Sequence, residues 1–88
     1  MISATLVNAD TYEVVVSQEV ETRHIVHMTQ DYYRKLCGGT VTHEWVLVQS
    51  FKFLLEREPN TAILAEFDLP VINRYFPEYE ETLIERLR

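Results

Sequence analysis

The alternation of apolar and polar residues in the first third of the chain predicts β-strands. Residues 11–17 and 22–28 are rich in β-branched and aromatic residues and contain neither glycine nor proline, a composition typical of strands. Residues 18–21 between them are polar and predict a hairpin tip. Residues 2–7 could add a third strand, with a turn at residues 8–10.

The length of the hairpin loop decides which side chains share a face of the sheet. A loop with an odd number of residues separates apolar from polar side chains best, and a slip of one residue would turn every side chain over. We therefore predict the odd loop, whose apolar face carries Tyr12, Val14, Val16, His24, Val26 and Met28. Val15 and Ile25 then remain on the more polar face, where they are candidates for contact with a terminal segment or another chain.

Helix signals follow the strands. Thr29 and Thr42 can each cap a helix, the first ending at Gly38 and the second before Pro59. The last third of the chain predicts short helical pieces, the final one over residues 77–87. The predicted fold class is α+β: a small antiparallel β-hairpin or three-stranded meander followed by three to four short helices, in a single domain over residues 1–88.

The second helix is the most apolar segment of the chain. A single partner surface cannot cover all of its large apolar side chains, which are Trp45, Val46, Leu47, Val48, Phe51, Phe53, Leu54 and Leu55. We predict that this helix is the hub of the domain and that part of its surface is left for an assembly. The predicted core consists of Trp45, Phe51, Leu54, Val14, Val16, Val26, Leu36, Ile63, Phe67 and Phe76.

Charge and length narrow the classes of partner. The 88 residues carry a formal net charge of −6 without any basic block, which makes nucleic acid an unlikely partner because phosphates repel an acidic chain. No apolar run approaches the roughly 20 residues of a membrane span. The single cysteine, Cys37, and the absence of a signal-like segment predict a reducing, cytoplasmic location.

The residues that could support chemistry do not converge in the sequence. His24 and His27 are three apart on a predicted strand and so point to opposite faces, which prevents them from sharing a metal ion. Cys37 lies at a helix C-terminus, where the dipole disfavours a thiolate, and the acidic residues at 78–81 fit a solvated first turn of a helix. We predict no catalytic residue, no metal, no cofactor and no enzymatic activity.

Several segments carry a family resemblance: Arg23 to His27, Ser50-Phe51, Phe53 to Pro59, Ile63-Leu64, Phe67 to Leu69 and Arg74 to Tyr79. In these segments the chain resembles a family of small bacterial proteins. The resemblance implies a shared fold and transfers no activity or ligand.

A second resemblance rests on one strand, residues 22–28, followed by helices at residues 29–37 and 42–57. This order is similar to the ribbon-helix-helix DNA-binding proteins, in which the strand enters the major groove. The resemblance implies a dimeric transcriptional regulator in which Arg23 reads bases. This regulator is the alternative to the function predicted next.

The dense aromatic residues predict an interaction surface, since a domain this small can hardly enclose them all. The leading prediction is a small non-enzymatic protein-interaction module, an adaptor or a regulatory subunit. Its partner would be another protein or a second copy of the chain. The candidate interface residues are Val15, Ile25, Val48, Phe53 and Tyr79.

Overall fold

A computed structural model describes all 88 residues. The strands are β1 (Ile2–Asn8), β2 (Thr11–Ser17), β3 (Glu21–His27) and β4 (Glu66–Asp68). The first three form an antiparallel meander, and β4 pairs in parallel with β3, so that the sheet order is β1-β2-β3-β4. The predicted α+β fold class and the three-stranded meander are confirmed.

Four α-helices and two 3₁₀ segments complete the fold. The α-helices are α1 (Gln30–Cys37), α2 (His43–Leu55), α3 (Ile72–Tyr75) and α4 (Tyr79–Arg86), and the 3₁₀ segments are Asn60–Ala62 and Leu69–Val71. Thr29 and Thr42 accept hydrogen bonds from the backbone N–H groups of Tyr32 and Trp45, as N-caps do. Gly38 ends α1 in the left-handed conformation, with φ of 63°. No helix is long and apolar enough to cross a bilayer.

The hairpin between β2 and β3 has the predicted odd loop. Ser17 lies opposite Glu21, which leaves three residues in the turn, and Tyr12 lies opposite Val26. All six side chains predicted for the apolar face are buried: Tyr12, Val14, Val16, His24, Val26 and Met28. The separation of apolar from polar residues was therefore sufficient to determine the register of this pair of strands.

Strand β4 was not predicted, because the sequence pattern predicts only helical pieces in the last third of the chain. The strand has three residues and pairs with residues 25–27 of β3. A segment this short has no periodicity of its own, and its strand conformation comes from the tertiary pairing.

The predicted core is confirmed at eight of its ten positions and wrong at Trp45, whose exposed fraction is 45%. Phe76 is half-buried. Helix α2 packs against β1, α1 and α4, and Trp45 lies where the helix remains exposed. There the ammonium group of Lys52 lies 5.7 Å from the indole ring centre.

Candidate functional site

The predicted interface residues fall into two groups. Val15, Ile25 and Val48 are half-buried at the surface, whereas the exposed fractions of Phe53 and Tyr79 are 0%. The prediction was wrong for Phe53 and Tyr79, because they pack against each other between α2 and α4 with ring centres 5.2 Å apart. They belong to the core of a single chain and cannot contact a partner directly.

The outer face of the sheet, where Val15 and Ile25 lie, is predominantly polar. The carboxylate of Glu66 lies 2.8 Å from Nε2 of His27, and the guanidinium of Arg23 lies 3.6 Å from Glu13. These polar pairs surround the two apolar side chains, so the outer face offers no continuous apolar patch.

The two strand histidines lie on opposite faces of the sheet, as predicted. His24 is buried, and its ring nitrogens lie 2.8 Å from the carbonyl oxygen of Leu64 and 2.8 Å from the hydroxyl of Thr22. Asn60 donates to the same hydroxyl at 3.0 Å and to the carbonyl of Val20 at 2.8 Å. These bonds hold the hairpin against the segment before β4, which is a structural role.

The acidic residues near the start of α4 are not simply solvated. Glu78 accepts a hydrogen bond from Arg57 at 3.1 Å, and Glu80 accepts bonds from Tyr32 at 2.8 Å and Lys35 at 3.1 Å. The pKa of Glu80 is lowered although burial opposes this, because the bonds to Tyr32 and Lys35 favour its charged form. These carboxylates attach α4 to α1 and to the end of α2.

An apolar groove lies between the end of α2 and helix α3, with a volume of about 180 Å³. Its floor consists of Leu54, Ile63, Phe67 and Ile72, all buried in the core. We call it the α3 groove. Floor residues that belong to the core give the groove a fixed shape without a ligand.

The rim of the α3 groove is apolar and open to solvent. Leu64 and Tyr75 line it with exposed fractions of 49% and 66%. Nine of its ten lining residues are hydrophobic, and the exception is Glu58. The groove can therefore hold an apolar side chain, while the carboxylate of Glu58 attracts a positive charge beside that side chain.

Local sequence signals explain why the groove forms here. Helix α2 ends at Leu55, and Pro59 prevents it from resuming. The chain then passes through Asn60–Ala62 and β4 to the second 3₁₀ segment, Leu69–Val71, which has Pro70 in its first turn. These short elements cover the core less completely than a long helix would. The gap that they leave is the groove.

Leu64 and Tyr75 are functional candidates that the sequence pattern does not predict. Both lie in a part of the chain that predicts only short helical pieces, and such pieces are too short for a periodicity that would assign a side chain to a face. The only signal was their proximity along the chain to Pro59, Pro70 and Pro77, which indicates short elements and incomplete cover.

Other chemistry-bearing side chains do not assemble into a site. No group of three His, Cys, Asp or Glu side chains is placed to hold a metal ion. Cys37 is half-buried at the end of α1, where its thiol lies 3.5 Å from the carbonyl oxygen of Tyr33. The absence of metal, cofactor and catalysis stays a prediction.

The structure does not have the strand arrangement of a ribbon-helix-helix protein. In that family the ribbon pairs with the same strand of a second chain. Here β3 has β2 on one side and β4 on the other. Both of its edges are occupied within one chain, so β3 is not available to form a two-chain ribbon.

No protein-family model matches the chain, and no significant match is found among curated proteins or solved structures. The resemblance to a family of small bacterial proteins stays a prediction.

Proposed function

We propose that this protein is a small non-enzymatic interaction module that binds a short segment of another protein in the α3 groove. The observation that carries the proposal is the groove itself: a preformed floor of Leu54, Ile63 and Phe67 with an exposed rim at Leu64 and Tyr75. Exposed apolar surface around a preformed depression is typical of a site that takes an apolar anchor residue.

The charge of the groove indicates the chemistry of the partner. Glu58 is its one charged lining residue, and the chain as a whole carries −6. A segment with a leucine or aromatic anchor next to lysine or arginine would satisfy both the apolar floor and the carboxylate. A role as an adaptor or a regulatory subunit in the reducing cytoplasm is consistent with such a site and with the single cysteine.

The proposal of a non-enzymatic role rests on the composition of the same groove. Catalysis by acid and base requires polar groups that converge on one reacting atom. The α3 groove contains a single carboxylate, that of Glu58, among hydrophobic residues. Such a lining favours binding over chemistry.

Selection from a random peptide library on the immobilised protein tests the proposal. We expect enrichment of peptides with an aromatic or leucine anchor beside a basic residue. Leu64→Asp should weaken the selected peptides by about tenfold or more, and Glu58→Gln should weaken only those with a basic residue. Both positions are at the surface of the groove, so folding should be preserved.

Val20→Asp is the matched control, because Val20 is 57% exposed at the hairpin tip and does not line the groove. It should leave peptide affinity unchanged. The proposal fails if no peptide class is enriched, or if the Leu64 and Val20 variants bind the selected peptides equally well.

A further inference from the structure

Strand β1 forms an open edge of the sheet. It pairs with β2 on one side only, and five of its seven residues are exposed. The backbone N–H of Ser17 donates to the carbonyl of Met1 at 2.8 Å. Because bonding alternates along an antiparallel ladder, the N–H and C=O groups of Ile2, Ala4 and Leu6 point away from β2.

These outward groups have no partner within the chain. None of the backbone bonds made outside the regular helices and strands involves Ile2, Ala4 or Leu6. They present a row of donors and acceptors in the geometry that a further strand requires.

The composition of β1 favours pairing rather than preventing it. Natural edge strands are usually protected by lysine, proline or inward-pointing charges. Residues 1–9 are the longest stretch of the chain without a charged side chain, and they contain no proline. Leu6 and Val7 are apolar with exposed fractions of 55% and 60%.

The opposite edge of the sheet shows the protection that β1 lacks. β4 has only three residues, and two of them, Glu66 and Asp68, are carboxylates. The 3₁₀ segment Leu69–Val71, which contains Pro70, follows the strand. The two edges therefore differ in length and in charge, and only β1 is suited to receive a strand.

We propose that β1 pairs antiparallel with β1 of a second copy of this chain, so that two copies form one continuous sheet. A two-fold axis at Ala4 places Ala4 opposite Ala4 and Ile2 opposite Leu6. The outward backbone groups of these residues then bond reciprocally. Ser3 lies opposite Thr5 on the outer face, and such hydroxyl pairs are favourable cross-strand neighbours.

Self-pairing preserves the two faces of the sheet. Ile2, Ala4 and Leu6 are paired with the buried-face residues Val16, Val14 and Tyr12 of β2. The register about Ala4 joins these positions to the same positions in the second copy, so the two cores lie on the same side. Leu6, half exposed in one chain, gains an apolar neighbour in Ile2 of the other.

The self-complementary register about Ala4 explains why a second copy is the occupant, because the same strand supplies both partners of every pair. The net charge of −6 on each copy opposes association, and pairing through β1 adds no direct contact between like-charged side chains, because residues 1–9 carry none.

Sedimentation equilibrium over a concentration series tests the dimer. We expect wild type to reach twice 10.4 kDa, and small-angle scattering to show a particle larger than the single chain, whose Cα radius of gyration is 11.9 Å. Leu6→Lys should weaken dimerisation by about tenfold or more, because charges on an edge block pairing. Ala4→Pro should do the same, since it removes an outward N–H that β2 does not use.

Val20→Lys is the control, an equally exposed apolar residue at the hairpin tip, and it should dimerise like wild type. Circular dichroism verifies that each variant is folded; if Ala4→Pro is not, Leu6→Lys alone decides. The proposal is overturned if wild type stays monomeric at millimolar concentration, or if the Leu6 and Val20 variants dimerise equally. Peptide binding in the α3 groove should be unaffected by Leu6→Lys, which separates this interface from the proposed function.

Discussion

Helix α2 is buried on two sides by different means. On the side that faces the sheet, Phe51 packs against His24 and Phe67, with ring centres 5.2 and 6.1 Å apart. On the side that faces the C-terminal helices, Phe53 packs against Tyr79 at 5.2 Å. The helix is therefore a central element, and the side chains that exceed one apolar stripe belong to a second contact within the chain.

The polar contacts around these two sides also differ. On the sheet side they include partly buried, uncharged bonds, such as those of Asn60 to Thr22 and Val20. On the C-terminal side a buried bond joins the hydroxyls of Ser50 and Tyr79 at 2.7 Å, and ion pairs lie at the surface, such as Arg86 to Glu56 at 2.6 Å. A domain of 88 residues therefore encloses an unusually apolar helix by packing the sheet on one side of it and short helices on the other.

The largest expected effect tests whether both sides are equally part of the core. Phe51→Ala and Phe53→Ala should each lower the free energy of unfolding by about 3–5 kcal/mol, because each removes a fully buried ring. Urea denaturation followed by circular dichroism measures both values. Lys52→Ala, the exposed residue between them, should change stability by less than about 0.5 kcal/mol.

Unequal losses in the free energy of unfolding would contradict the view that both sides of α2 are equally part of the core. If Phe53→Ala is nearly neutral while Phe51→Ala is severe, the C-terminal helices are only loosely attached. In that case Phe53 and Tyr79 would become accessible when the helices detach, as the sequence analysis expected of interface residues.

The first half of the fold could be predicted because its signals are local. Capping by Thr29 and Thr42, the turn at Gly38 and the alternation in residues 11–28 each depend on neighbouring residues. The position of Trp45 could not be predicted in this way. Its exposure depends on where α4 and the sheet contact α2, and that arrangement is set by distant parts of the chain.

The candidate sites also depend on contacts between distant parts of the chain, which local signals do not predict. The α3 groove arises from three short elements that meet in space, and no local pattern identifies Leu64 or Tyr75 as neighbours. Recognising β1 as an open edge requires knowing that β3 pairs with the other side of β2. The sequence predicted the existence of a third strand, and only the pairing order shows that this strand is the open one.

An intermediate effect should distinguish the polar contacts on the two sides. Asn60→Ala should cost about 1–3 kcal/mol of stability, since it leaves the carbonyl of Val20 without its donor in a partly buried site. Tyr79→Phe should cost only about 0.5–1.5 kcal/mol. The substitution removes the bond between the hydroxyls of Tyr79 and Ser50, but the Ser50 hydroxyl still donates to the carbonyl of Val46 at 2.8 Å.

Thermal or urea unfolding of the two variants measures this difference. Thr61→Ala, next to Asn60 but exposed, is the control for the loop and should be close to wild type. Equal losses for Asn60→Ala and Tyr79→Phe would show that the two sides rely on their polar groups to the same extent.

The smallest expected effect is a loss of stability at acidic pH, which should be confined to the side of α2 that faces the C-terminal helices. Hydrogen bonding to Arg86 lowers the pKa of Glu56 below its ordinary value of 4.5, and Arg57 assists. The pKa of Glu78 is lowered by its own backbone N–H and by Arg57. A carboxyl with a lowered pKa in the folded state stabilises the fold fully above its unfolded pKa, and this contribution is lost as the pH falls through the folded pKa.

Hydrogen exchange at pH 6 and pH 4, corrected for the intrinsic pH dependence, should therefore show α4 losing more protection than β2 and β3. Glu56→Gln keeps the side-chain shape and removes one titrating group, so stability should fall less steeply below pH 5 than in wild type. Glu19→Gln, at the exposed hairpin tip, serves as the control and should follow the wild-type curve. Uniform loss of protection across the sheet and α4, with parallel curves for Glu56→Gln and wild type, would show that the ion pairs do not hold the C-terminal helices.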